Sequence, residues 1–94
     1  MGKRGVKVNY YLVVLSSVTT AKRVEKAASD MMISCFVVHT PKGLSKYGCS
    51  HSVKVKEQDV KRVLEICRKM ALEIRGVYRE IKQDGKVFYQ EEKY

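Results

Sequence analysis

Two stretches of this 94-residue chain carry apolar residues at helical spacing, and each follows a run that reads as β-strand. That alternation limits what the chain can fold into more than any other feature. In the first stretch, Ala21, Val24, Ala28, Met31 and Met32 recur on one side while Lys22, Arg23, Glu25 and Lys26 fall on the other, behind the N-cap candidates Ser16, Ser17 and Thr19. In the second, Val60, Val63, Leu64, Cys67, Met70 and Ala71 make the stripe. Glu57 and Asp59 place negative charge where the helix macrodipole favours it. This helix is expected to end near Arg75, with Gly76 as its cap.

The strand-like runs fill the rest. Lys7 to Leu15 is rich in β-branched and aromatic residues and reads as a central strand. Ile33 to Thr40 alternates, with Ile33, Cys35, Val37 and His39 on one face and Ser34, Phe36, Val38 and Thr40 on the other. Ser52 to Lys56 alternates again, as a short and half-exposed strand. Val77 to Gln83 and Lys86 to Gln90 flank Asp84-Gly85, the strongest short hairpin signal a sequence offers. The order predicts an α+β fold: a ferredoxin-like βαββα sandwich, two helices on one face of a mainly antiparallel sheet, plus a C-terminal hairpin. A chain this long buries only about 60 to 65% of its unfolded surface. A single domain is therefore expected over residues 1–94, with a frayed basic arm over 1–6 and the terminal hairpin over 77–94.

Nineteen Lys and Arg against ten Asp and Glu give a net charge of +9, which attracts acidic surfaces or nucleic acid without choosing between them. Three cysteines, an odd number with no C-x-x-C spacing, fit a reducing cytoplasm better than a secreted disulfide framework. Lys3, Arg4 and Lys7 before Tyr10 to Val18 imitate a signal peptide weakly, but the same residues read as a strand. No run approaches the ~20 apolar residues of a membrane span. Tyr10 and Tyr11 on a basic sheet invite comparison with RNA-recognition domains, yet Ser52 to Lys56 lacks their Gly-aromatic motif.

Chemistry is expected in the connection Thr40 to Val53, T-P-K-G-L-S-K-Y-G-C-S-H-S-V. Pro41 ends the preceding strand, and Gly43 and Gly48 let the loop take conformations closed to other residues. Cys49 lies among Lys42, Lys46 and His51, with no acid between Asp30 and Glu57. Such a setting favours the thiolate. Cys35 and Cys67 sit in apolar patterns and read as small core residues. Cys49, His51 and His39 match no metal-ligand spacing, and no cofactor is expected. An acyl-transfer site would need an acid to orient His51, and none stands nearby in the sequence.

The N-terminal strand ending in Ser16-Ser17, the helix opening Thr20-Ala21-Lys22-Arg23-Val24-Glu25-Lys26, Thr40-Pro41, Leu44-Ser45, Cys49 and Ser52-Val53 together resemble a family of small bacterial selenium or sulfur carrier-like proteins. The likeness covers about residues 8 to 74, and its most specific piece is Thr40-Pro41 with a cysteine eight residues after the proline. Where the family tends to have Gly directly after the cysteine, this chain has Gly48 before it and Ser50 after. The resemblance implies that Cys49 holds sulfur or selenium as a persulfide or selenosulfide, received from a donor protein and passed to an acceptor. Such a protein is a carrier rather than a turnover enzyme. The alternative from another class is a basic module that binds nucleic acid or an acidic protein with no chemistry at Cys49. A thiol-redox role would require Cys35 as a resolving partner, against its core pattern.

Overall fold

The computed structural model describes residues 9–44 and 51–93. Lys7 and Val8 of the expected first strand, and the expected arm over 1–6, lie outside them. The elements run β1 (Tyr10–Leu15), α1 (Val18–Asp30), β2 (Cys35–His39), β3 (His51–Lys56), a 3-10 turn (Glu57–Asp59), α2 (Val60–Lys69), β4 (Ile74–Gln83) and β5 (Lys86–Glu92). The strands form one sheet in the order β2-β3-β1-β4-β5, and every pair is antiparallel. The fold is thus α+β, with one antiparallel sheet and two helices.

The register divides the sheet into two faces. Val13 stands opposite both Val53 and Val77, and Val53 opposite Val37, so a row of β-branched residues crosses four strands. Onto this face pack Ala21, Val24 and Ala28 of α1 and Val63, Leu64, Ile66 and Cys67 of α2. Both helices therefore cover the same face, each through the stripe its spacing defines. On the other face Leu12, Val14 and Tyr78 form a second buried cluster, against which Val38, Leu44 and Tyr89 pack.

α1 starts where Ser17 accepts a hydrogen bond from the Thr20 N–H through its side-chain oxygen. Its far end corrects the stripe. Met31 caps the helix and Met32 turns left-handed at φ 62°, 94% exposed, so neither belongs to the buried face. The Ile33 N–H donates to Ala28 O and the Met32 N–H to Ser29 O, the paired bonds of a Schellman closure, which carry Ile33 back into the core.

α2 closes the same way. It ends at Lys69, not near Arg75, with Ala71 left-handed at φ 56° and exposed, and with bonds from Leu72 N–H to Cys67 O and from Ala71 N–H to Arg68 O. Gly76 is therefore no cap. It lies in β4 opposite Val14, where a Cβ would come within 2.9 Å of the Tyr78 ring. The register slips between Val14 and Leu15, so Arg75 is the extra residue of a bulge.

β3 departs from the half-exposed expectation. It is an inner strand between β2 and β1, with Ser52, Val53 and Val55 fully buried. Its polar alternation survives because Lys54 reaches Glu80 on β4 (3.4 Å) and lies 4.7 Å from the centre of the Tyr10 ring. Glu80, 8% exposed, is held on the open face by that partner. The hairpin forms as expected, with Asp84 and Gly85 both at positive φ in the two-residue turn.

Candidate functional site

β2 and β3 are joined by the cysteine-bearing connection, and the structure fixes both of its ends. His39 and His51 stand directly opposite each other, their rings 4.8 Å apart and tilted by 37°. On the other face, diagonally across that pair, the Thr40 and Ser52 hydroxyls meet at 2.7 Å in a buried hydrogen bond. A buried hydroxyl left alone costs about 1 to 3 kcal/mol, so this pair ties the chain where it leaves the sheet to the chain where it returns.

After Thr40 the chain turns at once. The Leu44 N–H donates to Pro41 O (3.1 Å), and Gly43 takes φ 94° with open space around it. A left-handed third residue is what a type II turn requires, and glycine takes it without strain. Leu44 then packs against the cluster of Leu12, Val14 and Tyr78. Pro41 and Gly43 both take part in this turn, and Lys42 between them is exposed. His51 opens β3 and is half-buried. Lys46, Gly48 and Cys49 lie outside the described residues.

Neither of the other two thiols is placed for chemistry. Cys67 is fully buried in the helix-covered core, and Cys35 is 7% exposed at the start of β2. Burial, reinforced by the Glu25 and Asp59 carboxylates and by Cys67, pushes the Cys35 thiol up to about 11. Burial raises Cys67 as well. Both stay protonated at neutral pH, and the thiolate is the nucleophilic form. Among the described residues, no group of three His, Cys, Asp or Glu side chains could hold a metal ion, and no helix is long and apolar enough to cross a membrane.

Nothing in the sequence signals the Thr40–Ser52 and His39–His51 pairs. Alternation assigns each residue to a face of its own strand, but opposition depends on a register that only the folded connection sets. A groove of about 520 Å³ lies elsewhere, between α2 and the β4–β5 hairpin, floored by Tyr11 and Val77 and rimmed by Lys61, Arg68 and Glu92. Its lining includes none of the described residues of the connection.

Comparison with curated proteins and with solved structures finds no match. A family described as "Putative Se/S carrier protein-like" matches residues 10–79, which run from the start of β1 into β4 and contain the whole connection. With about three-quarters of its length matched, the chain belongs to this selenium/sulfur carrier-like family.

Proposed function

We propose that the protein carries sulfur or selenium on Cys49, in a ferredoxin-like frame that presents the connection between β2 and β3. The frame reading is supported by the β1-α1-β2 and β3-α2-β4 units and by the strand order β4-β1-β3-β2 within the sheet. The observation that carries the functional reading is one of elimination inside a carrier-like family. Of the three cysteines in the chain, Cys35 and Cys67 are core residues whose thiols burial holds protonated.

In the transfer step the Cys49 thiolate attacks the outer sulfur of a donor protein's persulfide. An S–S bond forms to Cys49 as the donor's own S–S bond breaks, the donor cysteine leaves as a thiolate, and the proton stays on the transferred sulfur. No external oxidant or reductant is consumed. Delivery is the same exchange in reverse, with an acceptor thiolate as the attacking group. A selenosulfide follows the same electron count, and the chemistry needs no bound cofactor or metal. Lys42, Lys46 and His51 supply the positive setting for the anion, while Pro41, Gly43 and Gly48 give the loop its turns. The +9 charge favours acidic partner surfaces, and the thiols suit a reducing cytoplasm.

The test is the pH dependence of alkylation at each cysteine of the folded protein, read by mass spectrometry against the unfolded chain. Cys49 is expected to react first, with an apparent pKa below the ~8.5 of a free thiol, while Cys35 and Cys67 stay protected. A Cys49 that reacts more slowly than a free thiol would sink the reading.

A further inference from the structure

The two edges of the sheet differ. At the β2 edge, α1 sends down Glu25, whose carboxylate accepts a hydrogen bond from the Val37 N–H at 3.3 Å. β5 forms the opposite edge, and it has no such cover among the described residues. In a two-residue hairpin the flanking pair, here Gln83 and Lys86, exchanges both hydrogen bonds. Strict alternation then commits Phe88, Gln90 and Glu92 to β4 and turns the backbone N–H and C=O of Val87, Tyr89 and Glu91 outward. The strand has no proline and no bulge in its register, and its charges, Lys86, Glu91 and Glu92, stand only at its two ends. Val87 and Phe88 are 46% and 50% exposed.

We infer that β5 is a self-association edge, where a second copy of the chain adds its own β5 antiparallel and joins two sheets into one. The sequence of the strand is self-complementary in that arrangement. β5 runs from Lys86 to Glu92 with Tyr89 at its midpoint. Overlap about Tyr89 sets Lys86 of each copy opposite Glu92 of the other and Val87 opposite Glu91, so no like charges face across the seam. The outward groups of Val87, Tyr89 and Glu91 then meet the same groups of the other copy in hydrogen-bonded pairs. Moving the centre to Phe88 or Gln90 loses the opposition of Lys86 and Glu92 and shortens the overlap. The contact is isologous, so each pairing but the Tyr89–Tyr89 one on the axis occurs twice, and the assembly stops at two copies.

The experiment is sedimentation equilibrium of the full chain over a wide concentration range, with folding checked by circular dichroism. The wild type is expected to dimerise reversibly at micromolar concentration. Glu91→Pro removes an outward N–H without touching the ladder to β4, and it should give a folded monomer. Lys86→Glu sets Glu opposite Glu92 twice and should weaken the dimer roughly tenfold at low salt. Adding Glu92→Lys to that variant restores it. In a Cys49→Ser background, Tyr89→Cys should oxidise to a covalent dimer, because hydrogen-bonded antiparallel partners lie ~5.5 Å apart, within disulfide reach. Phe88→Cys and Gln90→Cys should not. A chain that stays monomeric throughout, or a dimer that Glu91→Pro and Lys86→Glu leave intact, overturns the inference.

Discussion

On one face of the sheet, Val13, Val53, Val55 and Val77 meet the apolar stripes of two helices, and Cys67 is one more small apolar group among them. On the other face, Leu12 and Val14 are covered by Tyr78, Val38, Leu44 and Tyr89, beside the Lys54–Glu80 ion pair and the Thr40–Ser52 hydroxyl pair. The first face is closed by periodic elements whose pattern is local. The second is closed by residues from distant strands and from the turn after Pro41. Thiols on the first face are held protonated by burial, which is why the proposed carrier chemistry turns on Cys49.

Substitutions can break or sharpen that contrast. The largest expected effect is on the helix-covered face, where Leu15 is fully buried in the main core. Leu15→Ala should lower the unfolding free energy by about 3 kcal/mol in urea titration, with a smaller loss for Leu12→Ala, whose cover can shift to fill the space. Equal losses would mean that the two faces are packed alike.

Next comes the ion pair. Lys54→Met leaves the Glu80 carboxylate buried without its cation and should cost about 2 kcal/mol, moderated by the partial exposure of Lys54. Adding Glu80→Gln should recover part of that loss. If the double variant is no better than the single, Glu80 is not held by Lys54.

Gly76→Ala should destabilise by about 1 to 2 kcal/mol, because the new Cβ meets the Tyr78 ring at 2.9 Å and must push it off Leu12 and Val14. Thermal melting against a surface control such as Lys22→Ala checks it.

The smallest effect has the opposite sign. Ala71 holds φ 56° at the close of α2, and glycine takes that conformation without its Cβ penalty. Ala71→Gly should therefore raise stability by up to about 1 kcal/mol, and Met32→Gly should do the same for α1. A loss in both would mean that these closures are not strained.

Much of the first face was legible in the sequence, because Ala21, Val24, Ala28, Val63, Leu64 and Cys67 repeat at the spacing of one helix side. The helix ends were not. A left-handed closing residue is normally announced by glycine, but Met32 and Ala71 hold those positions here, while Gly76 serves a crowded strand. The S-V-K-V-K alternation reads as a half-exposed strand because a lysine's partner cannot be read locally; Glu80 arrives from β4. At the candidate site, Pro41 and Gly43 signalled the turn that forms. Opposition of His39 to His51 and of Thr40 to Ser52 depended on a β2–β3 register that no short stretch encodes.

The most direct measurement is the location of transferred sulfur. The folded protein would be incubated with a small-molecule persulfide, its unreacted thiols capped, and the peptides bearing Cys35, Cys49 and Cys67 weighed separately. The carrier account predicts that one added sulfur atom appears on the Cys49 peptide alone and leaves when an acceptor thiol is supplied. Sulfur on Cys35 or Cys67, or a Cys49 peptide that never gains it, would contradict the account.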